Sequence, residues 1–199
     1  MTILYEVHDN LYVNLTNKCP CACAFCLRNN KDQMNNSGSL WLKRDVTFKE
    51  AVAEIQKFDM DTYKELVFCG FGEPAEALEV LLEFARYVKE HYKNPIRMNT
   101  NGLGNLIHGR NIVPEMKGLI DTVSISLNTP DAEEYHQLVR SKFGEQSFEA
   151  VLAFAEECTK YIPQVIMTTV ATTITPEEEL QCREICDKIG VSYRIRQME

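Results

Sequence analysis

The chain has 199 residues, 45% hydrophobic and 25% charged, which is ordinary globular composition and enough length for one domain over 1–199 with a substantial core. A net charge of −8 argues against a dedicated nucleic-acid binder, which usually presents a basic face. The start "MTILYEVHDN" has no basic segment followed by an apolar one, and no apolar run approaches the ~18 residues of a membrane span, so a cytoplasmic protein is expected.

In chain order, β-rich runs alternate with helical patterns. "LYVNLT" (11–16) reads as the first strand and leads into the cysteine-dense stretch "NKCPCACAFCLRNN" (17–30). A loop-like segment, "NNKDQMNNSGS" (29–39), follows, and loops of this length are often functional. Then come a helix at 48–58, a strand at 64–69, a helix at 76–92, a strand at 95–100, a weaker helix near 106–117 and a strand at 121–127. Helices at 131–142 and 147–161, a strand at 164–173, a helix at 176–189 and a strand at 191–197 complete the pattern. Thr175-Pro176 is a good helix start and Gly190 a good stop.

Six strands alternating with helices predict a parallel α/β sheet, either doubly wound or curled into a partial barrel. Strands buried on both faces should be almost wholly apolar. Here Val123, Ile125 and Leu127 alternate with Ser124, Ser126 and Asn128, Ile96 and Met98 alternate with Arg97 and Asn99, and Arg194 and Arg196 share one side. A partial (β/α)6 barrel accommodates this, with apolar faces on helices and polar faces lining a cavity.

Eight cysteines in such a chain point to metal or redox chemistry rather than a disulfide framework. Cys23 and Cys26 follow Cys19 by four and seven residues. On a helical turn the three would share a side with Cys21 pointing away, and in a loop they could wrap one cluster. Three readings stand: a seam of buried free thiols, a zinc site of Cys19, Cys21, Cys23 and Cys26, or an iron–sulfur cluster with an open iron. Four ligands within eight residues would strain one tetrahedral ion. Cys182 and Cys186, one turn apart, and Cys158 on the preceding helix read as core packing; Cys69 reads as a buried strand residue.

Cys19-x3-Cys23-x-Phe25-Cys26 resembles the signature of the radical SAM superfamily. The resemblance implies three cysteines holding a [4Fe–4S] cluster, whose open iron binds the amino and carboxylate groups of S-adenosyl-L-methionine (SAM). Reductive cleavage of SAM to a 5′-deoxyadenosyl radical would be followed by hydrogen abstraction from a substrate. It places Phe25 near the adenine and leaves Cys21 outside the ligand set. "GFGEP" (70–74) resembles the family's "GGEP" element, which contacts the SAM amino group, so Gly70, Gly72, Glu73 and Pro74 are candidate cofactor residues; Phe71 splits the glycine doublet. "MNTNG" (98–102) suggests Asn99 and Asn101, "SISLN" suggests Ser126 and Asn128, and Arg140 resembles an arginine pairing with the SAM carboxylate. Every one of these except Arg140 falls at or just beyond the C-terminal end of an expected strand, where α/β barrels place active sites.

Within the superfamily, residues 12–29 look most like the small members associated with TatD-type nucleases, a subgroup without a transferable reaction. The resemblance also implies an electron donor such as flavodoxin or ferredoxin. The alternatives are an activating enzyme that places a glycyl radical on a partner protein, and a non-catalytic iron–sulfur or zinc protein. Segment 29–42, with Trp41, is expected to cap the SAM or substrate side of the barrel.

Overall fold

A computed structural model describes residues 1–34 and 36–197. Strands β1 (Leu4–Val7) and β2 (Asn10–Val13) form an antiparallel hairpin across a two-residue turn, where His8 adopts a φ of 51°. Strands β3 (Leu66–Phe68), β4 (Ile96–Thr100), β5 (Thr122–Ser126), β6 (Gln164–Val170) and β7 (Ser192–Arg196) follow in strict sequence order, each parallel to its neighbour. The six expected parallel strands are present. The sheet has seven strands rather than six, because the hairpin adds β1 at one edge.

Sequential order has a geometric consequence. Right-handed crossovers without a reversal of order put all connecting helices on one face. The sheet therefore curls with helices outside, as in a partial barrel, and β1 and β7 stand at the two ends of the strand order. The helices are α1 (Phe48–Ile55), α2 (Leu78–His91), α3 (Gly104–His108), α4 (Ala132–Val139), α5 (Gln146–Cys158) and α6 (Pro176–Ile189). Several expected helices end early, α1 at Ile55 and α5 at Cys158 among them, and two are cut short by a left-handed residue. The one at 106–117 breaks at Gly109, φ 62°, into α3 and a separate 3₁₀ turn at Val113–Met116. The one at 131–142 ends at Val139 because Arg140 turns left-handed, φ 49°. The helix at 176–189 holds to its ends: Thr175 and Glu178 form a reciprocal cap, and Gly190 closes it at φ 82°.

The strand alternation sorts the two faces. Leu66, Phe68, Ile96, Met98, Val123, Ile125, Val165 and Met167 join the main core under the helices. Intervening residues line the concave face, and the register aligns them in rows: Tyr12, Val67 and Arg97; Asn99, Ser124 and Ile166; Ser126, Thr168 and Arg194. Cys158, Cys182 and Cys186 are fully buried in the main core, where burial pushes each thiol up to about 12. They are inert packing groups. At the β1 end, a smaller cluster of Tyr5, Val7, Leu40 and Phe71 fills the concave side. Among the described residues no helix is long and apolar enough to cross a membrane.

Candidate active site

The cysteine stretch leaves the end of β2 and runs across the C-terminal ends of the strands. The last turn of α4 and the residues just beyond it fasten it by backbone hydrogen bonds. Ala22 N–H donates to Val139 O at 3.1 Å, Ala24 N–H to Leu138 O at 3.0 Å, and Lys142 N–H to Pro20 O at 2.8 Å. Cys21 and Ser141 form an isolated antiparallel bridge. This explains the early end of α4: the left-handed Arg140 releases the chain to run beside the cysteines.

Within the stretch the thiols are unequal. Cys21 is 4% exposed and part of the main core, whereas Cys19, Cys23 and Cys26 are half-buried. The Cys21 thiol interacts with the sulfurs of both Cys19 and Cys23. That contact, opposed by burial and aided by the nearby Arg28 guanidinium, holds Cys19 and Cys23 below the ordinary thiol range. The same neighbours push Cys21 far up, and burial pushes Cys26 up. The direction favours the thiolate form at Cys19 and Cys23 and the thiol at Cys21. Among the described residues no three Cys, His, Asp or Glu side chains converge on one ion. Thiolates that each bind a different iron of a cluster need no such convergence.

Two groups that the motif reading omitted brace this loop. Arg28 donates to the carbonyls of Cys21 (3.0 Å), Asn17 (3.4 Å) and Phe71 (3.4 Å), tying the loop to the turn after β3. It is the only basic residue between Lys18 and Lys31, and that was the available signal. Tyr135 of α4 is 1% exposed, and its hydroxyl is buried without a partner. Cys21, Cys23, Glu73 and Cys19 all push its pKa up, after burial itself. Nothing in "AEEYHQLV" marks Tyr135 as more than a core residue; only the packing reveals it.

The turn after β3 fits against the start of the cysteine stretch. A Cβ on Gly70 would lie 2.1 Å from Asn14 Oδ1, and one on Gly72 would lie 2.2 Å from Thr16 O and 2.7 Å from Lys18 O. Glu73 is 4% exposed and its carboxylate turns into the protein. It accepts from Thr100 Oγ1 (2.6 Å), Asn101 N (2.8 Å) and Ala75 N (3.2 Å), while its own N–H donates to Lys18 O at 2.8 Å. Burial still pushes its pKa up to about 7. Both carboxylate oxygens are engaged, so Glu73 knots three strand ends together and the backbone of Gly70 and Gly72 is the part left accessible. Pro74 is buried at the first position of the following 3₁₀ turn.

The other candidates divide by position. Asn101 Nδ2 points at Cys21 Sγ (3.5 Å) and Cys19 Sγ (3.9 Å), so it faces the thiols. The left-handed residue of its turn is Gly102, φ 77°. Asn128, φ 71°, is 4% exposed with a buried Oδ1 that has no partner. Asn99 and Ser126 line the concave face, and Asn99 Oδ1 accepts from Arg97 at 3.0 Å. Phe25 is half-buried outside the main core. Its neighbour Ala24, with Thr129, Leu138 and Thr173, lines a cavity of ≈ 330 Å³. Arg140 is exposed at the end of α4. Cys69 lies just past β3, half-buried rather than buried. Segment 29–42 is tied down: Asn14 donates to Leu40 O at 2.7 Å, and Trp41 meets Phe71 edge-on at 5.1 Å.

Half-buried thiols beside the strand ends, a glycine turn that cradles the start of the cysteine loop, and two orphaned polar atoms on Tyr135 and Asn128 fit a sulfur-ligated cluster with a polar small molecule beside it. Comparison with known proteins gives the same direction. Residues 13–189 match the family model described as the radical SAM superfamily. A curated relative, the probable GTP 3′,8-cyclase of Thermococcus kodakarensis, is 27% identical over 193 residues, covering 96% of this chain and 57% of that protein. Among solved structures, Streptococcus suis SuiB bound to its precursor peptide SuiA superposes with a TM-score of 0.68 at 15% identity, covering 98% of this chain and 40% of that one. Methylornithine synthase gives 0.67 at 16% identity, covering 96% and 53%. The enzyme anSMEcpe with bound AdoMet gives 0.65 at 16% identity, covering 94% and 50%. The family match runs from the last residue of β2 through α6 and includes the cysteine stretch and the C-terminal ends of β2 to β6, so the chain belongs to the radical SAM superfamily, a family of enzymes that use a [4Fe–4S] cluster and SAM.

Proposed function

We propose that this chain cleaves SAM reductively, with Cys19, Cys23 and Cys26 as ligands of the [4Fe–4S] cluster. These three cysteines would hold the cluster, which when bound would supply the electron for reductive cleavage of SAM and so the means of hydrogen abstraction from a substrate. A flavodoxin or ferredoxin would supply the electron. The observation that carries this reading is the family match over residues 13–189, supported by the placement of Cys19, Cys23 and Cys26, half-buried beside the strand ends while Cys21 is packed into the core. Asn101 donates toward the ligand sulfur of Cys19, and Arg28 holds the loop against the glycine turn. Gly70 and Gly72 offer accessible backbone for the SAM amino group, Phe25 a ring for the adenine, and Asn128 and Ser126 polar atoms for the ribose or carboxylate. Arg140 sits beside the loop, exposed for a carboxylate. Association with a TatD-type nuclease rests on the likeness of residues 12–29 alone.

The test is metal and product analysis of anaerobically reconstituted protein. About four irons with matching sulfide, and 5′-deoxyadenosine released after adding dithionite and SAM, are expected. Zinc in place of iron, or a cluster that never cleaves SAM under varied reductants, overturns the reading.

Arg28 gives a sharper expectation. Replacing it with Gln removes a positive charge beside the thiolates and weakens three carbonyl contacts. The midpoint potential of the cluster should fall by tens of millivolts, where ~59 mV is a tenfold change for one electron. Redox titration followed by EPR checks this; an unchanged potential at full iron content would limit Arg28 to a structural brace.

A further inference from the structure

The concave face carries positive charge that the described residues do not balance. Arg97 of β4 is 9% exposed and closed by Glu65: its Nε donates to both carboxylate oxygens at 3.1 Å and its Nη2 to Oε1 at 2.7 Å. Among the described residues Arg194 and Arg196 of β7 have no such partner. The register sets Arg194 beside Thr168, and its Nη2 reaches across β6 to Ser124 Oγ at 3.4 Å. Arg196 sits beside Val170, and its Nε is buried with no hydrogen-bond partner. Neither arginine forms an ion pair among the described residues. Burial and the like charges of Arg97 and Arg196 press Arg194 below its ordinary pKa. Arg97 and Arg196 both lie near enough to Cys69 to act on its thiol, and the register of β7 puts Arg194 on the same face as Arg196.

Arg194 is exposed at the rim and Arg196 is half-buried with its Nε out of water, and a guanidinium atom held that way is costly until a counter-charge or acceptor arrives. Their planar forks suit bidentate oxyanions. Positions i and i+2 of one strand are roughly 7 Å apart, wider than the two oxygens of one carboxylate. β7 is the edge strand at the end of the sheet opposite the cluster that packs Leu40 and Phe71, so this side of the cavity is the less obstructed one.

We propose that the concave face binds a substrate bearing a phosphate or diphosphate group, held by Arg194 and Arg196 against the fixed Arg97–Glu65 pair. This deepens the enzyme reading above and rests on it. The group would anchor on β7 and leave the rest of the substrate to extend toward the strand ends, where the cysteine loop lies.

The test is calorimetric titration of the cluster-loaded protein with inorganic pyrophosphate, and separately with succinate, each with and without saturating SAM. One pyrophosphate per chain is expected, binding more weakly as salt rises. Arg194→Gln and Arg196→Gln should each weaken it about tenfold or more, with Arg194→Lys between them and the parent. Arg86→Gln, exposed on α2, should bind as the parent does. No binding by the parent, equal binding in all variants, succinate bound in place of pyrophosphate, or displacement of pyrophosphate by SAM would each overturn the proposal. Should the Gln variants fail to fold, the parent's salt dependence and Arg194→Lys decide. Iron content and deoxyadenosine from the same parent sample report separately on the underlying enzyme reading.

Discussion

Cys19→Ala, Cys23→Ala and Cys26→Ala are each expected to lose most of the iron after anaerobic reconstitution, falling from about four atoms per chain to below about one. Cys21→Ala should keep it. The physical reason is the division of labour in the loop. Cys21 is buried in the main core, is joined to Ser141 by a backbone bridge, and keeps its proton. Its thiol can donate to the neighbouring sulfurs but is poorly placed to become a thiolate. Replacing it by Ala costs a small volume in a packed region, roughly 1 kcal/mol, and the loop retains its ladder to the end of α4. Iron and sulfide assays on the four variants, with thermal melts to show that each is folded, check the series. Equal loss in all four would mean that Cys21 is a ligand and the site is misassigned.

The alternation of apolar and polar residues in "VSISLN" and "IRMNTN" carried the most information about the fold. It required one apolar face and one polar face on strands that were otherwise parallel, and the structure shows that division in the rows of the concave face. The hairpin strand Leu4–Val7 escaped because its evidence is long-range. "LYEV" is short, and its turn residues His8 and Asp9 acquire meaning only when Val7 is seen opposite Asn10. The helix near 106–117 failed for a local reason that could have been read: Gly109 and Pro114 interrupt it. At the candidate site, spacing already set Cys21 apart from Cys19, Cys23 and Cys26, but its burial in the main core and its contacts with the neighbouring sulfurs were not legible, because they depend on how α4 and the core close over the loop. Glu73 was legible as a special residue but not in its orientation, since Thr100 and Asn101, which hold it, come from another strand end. Tyr135 was not legible at all; its hydroxyl matters only because α4 is laid against the cysteine loop.

Gly72→Ala should be the most damaging single methyl in the molecule. Gly72 is not among the residues with positive φ, so the cost is steric rather than conformational. The added Cβ would meet Thr16 O at 2.2 Å and Lys18 O at 2.7 Å, and backbone carbonyls cannot rotate away as a flexible side chain can. The Lys18 carbonyl and the Thr16 side chain are themselves committed. Lys18 O accepts from Glu73 N, and Thr16 Oγ1 both accepts from Lys18 N at 3.0 Å and donates to Asp45 at 2.7 Å. Relief therefore requires the start of the cysteine loop to move away from the turn after β3, which also strains the bonds from Arg28 to Phe71 O and Asn17 O. Overpacking of this kind costs roughly 3 kcal/mol. For a chain of this length that lowers Tm by about 6–12 °C. Gly109→Ala is the matched control: its φ is 62° but nothing lies within 4 Å of the new Cβ. It should cost about 1 kcal/mol through backbone strain and leave iron loading at the parent level. Thermal melts together with iron content separate the two effects. Gly72→Ala with parent-like Tm and full iron would show that the loop and the turn do not depend on this close approach, and would remove the glycine cradle from the case for a SAM site.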